Sequence, residues 1–203
     1  SHGDQEFFTR EELIEKFDIT HIGRSAGVFN PEKLLALNAE HIRNAEAADL
    51  APHLAPFLRE RDIEAEENTF LYSVIGTLQP RSKTLVEMAD GAVFYFRAPE
   101  SYEEKGVKKF FKPGLIEPLR QLVQALENCS PFAEKQLEAA FMQVMEAHDL
   151  KFGKIAQPVR LALSGKTVSP GIFEMIEVLG RDETVARLNR AIDFMAQHAR
   201  AQG

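Results

Sequence analysis

Apolar residues recur at helical spacing along most of the chain, and this periodicity limits the fold more than any other feature. Leu115, Leu119, Leu122 and Leu126 repeat at intervals of three or four, as do Leu137, Phe141, Val144 and His148. Ile172, Met175, Ile176 and Leu179 fit an i, i+3, i+4, i+7 pattern, and Val185, Leu188, Ile192 and Met195 form a last stripe. Such spacing gathers side chains on one face of a helix with 3.6 residues per turn. The termini carry matching signals. Thr9 stands three residues before Glu12, the pattern of a capping box. Asn30-Pro31 reads as an N-cap followed by proline at the first helical position, with Leu34, Leu37 and Ile42 following on roughly one face. Gly180 fits the position just past a helix end. No window alternates over strand length between turn glycines. The nearest is Ala92-Val93-Phe94-Tyr95-Phe96, apolar throughout, which reads as either a short strand or a buried helix end. Breaks near residues 45–49, 97–102, 112–114, 128–131 and 165–169 are short, as between packed helices. The expectation is an all-α bundle or cage of about ten helices, without internal repeats.

Composition then excludes several classes. The longest apolar stretches are a few residues, far short of a membrane span. The N-terminus is polar and acidic, unlike a signal peptide, so a cytoplasmic chain with no membrane partner is expected. Cys129 is the only cysteine, which rules out an internal disulfide and leaves a cysteine-based zinc site short of ligands. No metal is expected.

The net charge of −7 pulls against a nucleic-acid partner, but the distribution is uneven. Residues 151–203 carry eight Lys and Arg against five Asp and Glu, a balance of +3, which leaves −10 for residues 1–150. Local field matters more than total charge in attracting phosphates, so the basic end is the place to seek an anionic partner.

Catalysis needs a nucleophile with its base, paired carboxylates, a metal cluster or a phosphate-cradling loop. The chain has no Walker A motif, no GxGxxG and no HExxH. Its six histidines are scattered, and His148, on an apolar face, reads as a satisfied core histidine. His21-Ile22-Gly23-Arg24 resembles the HIGH signature of class I aminoacyl-tRNA synthetases. That signature follows the first strand of a Rossmann fold, where it meets ATP phosphates at a helix start. Here it follows a helix-like segment, and it reads as coincidence. No catalytic residue is expected.

Three stretches resemble the bacterial-type glutamyl-tRNA synthetase family. The first runs from Phe8-Thr9-Arg10-Glu11-Glu12-Leu13-Ile14 through Gly27-Val28-Phe29-Asn30-Pro31-Glu32-Lys33-Leu34 to Leu37-Asn38-Ala39-Glu40-His41-Ile42-Arg43. The second is Leu78-Gln79-Pro80-Arg81-Ser82-Lys83-Thr84-Leu85. The third begins at Gly153-Lys154-Ile155-Ala156-Gln157-Pro158-Val159-Arg160 and continues to Gly165. It resumes at Ser169-Pro170-Gly171-Ile172-Phe173-Glu174 and ends at Leu179-Gly180. The resemblance implies the C-terminal anticodon-binding part of such an enzyme, without its Rossmann domain and lysine-serine signature loop. The chain opens mid-domain at Ser1-His2-Gly3-Asp4, as a piece of a longer protein would. The short synthetase-like enzyme that modifies tRNA resembles the other, catalytic half. The domain division implied is 1–45 as the end of a stem-contact region, 46–110 as a first anticodon-binding subdomain and 111–203 as a second.

The resemblance also implies a site. Unstacked anticodon bases expose hydrogen-bonding edges, and arginine offers a planar fork of donors that pairs with an edge or stacks on a base. Arg81 follows Pro80 at a break, and in the family this position faces the third anticodon base. Arginine there is associated with acceptance of cytosine and rejection of guanine, hence with discrimination against tRNA for glutamine. Without the family, Arg81 reads as an exposed arginine paired with a carboxylate. Pro158 kinks or starts a helix, so Gln157 and Arg160 are expected to share a helix end; by resemblance they approach the first two anticodon bases. Ser169 is expected as N-cap, Pro170 at the first helical position, and Gly171 as a point of backbone access before Ile172. Family members use this turn to contact anticodon bases, and on sequence alone it is equally a plain helix cap. Lys154, Lys166 and Arg181 are phosphate-contact candidates; taken singly, each reads as a solvated surface charge. The expected partner is tRNA for glutamate, not DNA, with the chain a monomer. ATP and Mg²⁺ would bind in the parent's catalytic domain and no cofactor in this chain. The competing class is an all-helical protein-interaction adaptor, supported by the acidic net charge.

Overall fold

The computed structural model of the chain describes residues 7–21 and 28–201. These residues contain eleven α-helices and no strand. Their order is α1 (Arg10–Lys16), α2 (Pro31–Asn44), α3 (Ala47–Arg59), α4 (Thr69–Leu78), α5 (Leu85–Phe96), α6 (Glu104–Phe110), α7 (Ile116–Glu127), α8 (Glu134–His148), α9 (Phe152–Ser164), α10 (Ile172–Leu179) and α11 (Arg181–Ala201). The all-α expectation holds. The ambiguous run 92–96 is the last turn and a half of α5, where Ala92 and Tyr95 are buried. Of the HIGR tetrapeptide, Ile22, Gly23 and Arg24 lie outside the described residues, as does Gly27 of the first resembling stretch.

The caps form as their residue types require. Thr9 accepts from the backbone N–H of Glu12 at 3.1 Å, while the Glu12 carboxylate accepts from the backbone N–H of Thr9 at 2.8 Å. Asn30 Oδ1 accepts from Glu32 and Lys33 ahead of Pro31. Asn68 and Thr84 cap α4 and α5 in the same way. Residues 60–68 form a further break, which the periodicity does not signal.

Packing sorts the helices into two groups. In the first, α3 packs on α4 and α5; in the second, α11 lies against α7 and α9, and α8 against α7 and α9. The groups meet where α10 contacts α4 and α5 contacts α9, and α6 packs on α9. One apolar cluster runs through both, from Ile42 to Met195. By contrast α1 buries no residue, and Leu13, Ile14 and Phe17 are exposed.

Two local expectations are corrected. Pro158 neither starts nor ends a helix: it lies inside α9, so Gln157 and Arg160 occupy a helix interior. An internal proline costs about 3 kcal/mol. However, α9 buries Ile155, Val159, Leu161 and Leu163 completely, each worth about 1.5–3 kcal/mol. Burial therefore outweighs the lost bond. Ser169 is not the N-cap of α10. That position is Gly171, with no side-chain cap, because the Ser169 hydroxyl is already engaged by Arg160 and by the carbonyl of Pro170.

Candidate nucleic-acid interface

The 3-10 turn Gln79–Arg81 joins α4 to α5. Its backbone is pinned on both sides. Gln79 Nε2 donates to the carbonyls of Ile42 at 2.9 Å and Ala45 at 2.8 Å, at the end of α2. Asn38 Nδ2 donates to the carbonyl of Lys83 at 2.6 Å, and Ser82 Oγ to that of Leu78 at 2.9 Å. The Arg81 side chain has no such tether: it is exposed and forms no ion pair among the described residues. A fixed base with an uncommitted guanidinium suits recognition, because the order needed to present the donor already exists.

Across from Arg81 stands the loop from Gly165 to Gly171. Gly165 has φ +73°, and a Cβ there would come within 2.8 Å of Pro99 Cβ and 2.9 Å of the Ser101 carbonyl oxygen. Only glycine fits this left-handed, closely approached position. The backbone N–H of Glu103 donates to the Gly165 carbonyl at 2.9 Å. The Glu103 carboxylate accepts from Thr167 Oγ1 at 2.7 Å and Thr167 N at 3.0 Å, bonds that hold its pKa below the usual carboxylate range.

Arg160 reaches the same loop from α9. Its Nη1 donates to the carbonyls of Pro170 at 2.7 Å and Ser169 at 3.0 Å, and to Ser169 Oγ. Burial lowers the guanidinium pKa from its ordinary value, and the nearby positive charge of Arg81 lowers it further. The two arginines, far apart in sequence, are thus electrostatic neighbours. Between Arg81 and the loop that Arg160 holds opens a cleft of about 740 Å³, lined by Arg81, Lys166, Ser169 and Pro170 together with Phe94 and Pro99. Its wall also holds Arg97 and the carboxylates of Glu87, Asp90 and Glu100. Asp90 is paired with Arg61 at 2.7 Å, and Glu87 accepts the Lys83 N–H at 2.8 Å.

The remaining candidates are dispersed. Ile172 is 5 % exposed and its side chain belongs to the core. Gly171 sits against the Glu174 carboxylate. Gln157 is half-buried, with an Oε1 that has no partner among the described residues. Arg181 donates to the Cys129 carbonyl and lies 5.4 Å from the Phe132 ring centre. Lys154 lies on α9 ten residues before Ser164, about 15 Å along the axis from the end that lines the cleft. His148 is hydrogen-bonded to Gln121 at 2.9 Å, as a structural histidine should be.

Sequence reasoning passed over Arg187. This residue is 2 % exposed; its Nη1 donates to the carbonyls of Phe94 and Leu163, both at 2.6 Å, and its Nε pairs with Glu183 at 2.7 Å. Phe94 belongs to the first helical group and Leu163 to the second, so one buried guanidinium ties together the two walls of the cleft. The available signal was a charge inside the apolar stripe of α11, beside Leu188 and Ala191.

The cleft thus sets an exposed arginine on one side against a pinned loop on the other, within an all-helical domain. Residues 49–192 match the anticodon binding domain family, and the chain belongs to it. Within that class the similarity is to glutamate–tRNA ligases. The enzyme of Desulfosudis oleivorans is 55 % identical over 195 residues, which are 96 % of this chain and 42 % of the relative. That of Geobacter sulfurreducens is 48 % identical over 197 residues, 97 % of this chain and 42 % of the relative. A crystal structure of a glutamate tRNA ligase from Elizabethkingia meningosepticum superposes with a TM-score of 0.81 at 26 % identity, over 91 % of this chain and 36 % of that one. The chain therefore spans less than half the length of the relatives it matches.

Proposed function

We propose that this chain reads the anticodon of tRNA for glutamate on behalf of a parent glutamate–tRNA ligase. The parent attaches glutamate to the 3′ end of the tRNA with ATP and Mg²⁺ bound in its catalytic domain. The observation that carries the reading is the pairing of a free Arg81, on a pinned turn, with the Arg160-held loop across one cleft. Arg81 faces the third anticodon base and favours cytosine over guanine, so tRNA for glutamine is rejected. Gln157, Arg160 and the turn from Ser169 to Ile172 face the first two bases, with Lys154, Lys166 and Arg181 toward phosphates. The chain works as a monomer in the cytoplasm.

Polarisation titrations with anticodon stem-loops of both specificities test this. Arg81→Ala should lose about 1–3 kcal/mol of binding to the glutamate loop and much of the preference over the glutamine loop. Equal losses on both loops would remove Arg81 from base recognition. No binding by the unaltered chain at low salt would favour a protein-interaction adaptor instead.

A further inference from the structure

A second concavity lies at the opposite end of α9 from the Arg81 cleft. Its volume is about 440 Å³, and its lining is Lys109, Lys112, Lys151 and Lys154 around Phe110, Leu115 and Gly153. Lys109 and Phe110 end α6, Lys112 and Leu115 lie in the connection to α7, and Lys151 and Lys154 begin α9. All four lysines are exposed, the lining contains no carboxylate, and none of the four forms an ion pair among the described residues. Two of them make further contacts, which leave the ammonium charge uncancelled. Lys112 Nζ donates to the Lys108 carbonyl at 2.5 Å, and Lys109 Nζ lies 5.1 Å from the Phe110 ring centre.

Four uncompensated positive charges around one hollow repel each other, and this occurs in a chain whose net charge is −7. The first turn of α9 adds to the field: it has no acidic residue and no side-chain cap, so free backbone N–H groups open beside Lys151. An anion relieves all of these at once. The apolar floor of Phe110 and Leu115 suits an anion attached to a sugar and base better than a small free ion.

We propose that this lysine hollow binds the phosphodiester backbone of an RNA, and, resting on the anticodon reading above, that it grips the anticodon arm outside the loop. The separation of about 15 Å along α9 corresponds to roughly four to five stacked nucleotides at about 3.4 Å each. The hollow contributes affinity and registration, whereas the cleft contributes base choice.

The test replaces Lys109, Lys112, Lys151 and Lys154 together by Gln, with all four to Arg as the charge-keeping control. Binding of synthetic anticodon stem-loops is titrated between about 50 and 200 mM salt. The Gln variant should show a slope of log affinity against log salt shallower by about three, from about 0.7–0.9 per phosphate released. It should weaken glutamate and glutamine stem-loops by the same factor, and the Arg variant should restore both slope and affinity. A slope unchanged in the Gln variant overturns the site while leaving the anticodon reading intact. An Arg81→Ala chain that keeps its loop preference, with the Gln variant still losing slope, overturns the anticodon reading and leaves a general RNA-backbone site. Loss of slope that the Arg variant fails to restore also overturns the charge argument.

Discussion

Burial sets the chemistry of Tyr95, which lies 4 % exposed on α5 with its hydroxyl 2.8 Å from Thr77 Oγ1. Removal from water pushes its pKa up to about 12, the Thr77 hydrogen bond opposing the shift. In the unfolded chain the value returns to about 10. The native state therefore holds a proton that the unfolded state has lost between these values. The stability this provides is full below about pH 10 and is lost as pH rises toward 12, by about 3 kcal/mol at most. Spectrophotometric titration should show a late tyrosine step near pH 12 that Tyr95→Phe lacks, and identical curves would contradict it. Single residues also mark where sequence reading reaches its limit. Arg81, Arg160, Arg181 and Arg187 look alike as letters, yet one is unpaired, two each donate from one nitrogen to loop carbonyls and one is buried between helix ends.

The helices owe their starts to local chemistry and their placement to a few long-range bonds. The carbonyls of Phe94 and Leu163 fall in the last turns of α5 and α9, where no backbone N–H remains to serve them. Arg187 of α11 serves both. Arg187→Met keeps bulk but leaves two buried acceptors unpaired, and should lower stability by about 2–4 kcal/mol in urea unfolding. An unchanged midpoint would show that water replaces the guanidinium. At this scale the periodic stripes and the Thr9 and Asn30 caps were legible in the sequence, because they depend on neighbours three or four residues away. The Pro158 and Ser169 expectations failed because burial of α9 and capture by Arg160 depend on atoms that local pattern does not contain.

Across the molecule, the apolar cluster from Ile42 to Met195 passes through both helical groups, with Arg187 buried where they meet. Such a core should unfold as one unit. With no tryptophan and three tyrosines, far-ultraviolet circular dichroism and tyrosine fluorescence should give coincident urea midpoints. Two separated midpoints would mean that the halves are joined more loosely than the shared core implies. The shared core also links the Arg81 cleft to the lysine hollow, as a ligand held at both places would require.

By itself the sequence determined that the chain is all-helical, where most helices break, and which family signatures it bears. These follow from spacing, capping residues and word-like motifs that need only near neighbours. The tertiary structure alone decided that Arg81 stays unpaired, that Arg160 braces the loop beside the cleft and that Arg187 becomes an internal strut. It also drew lysines from residues 109–112 and 151–154 into one hollow, although the charge split along the chain pointed only to the C-terminal end. The physical reason is that a charge's role depends on which acceptors lie within about 3 Å of it, and folding brings those acceptors from tens of residues away.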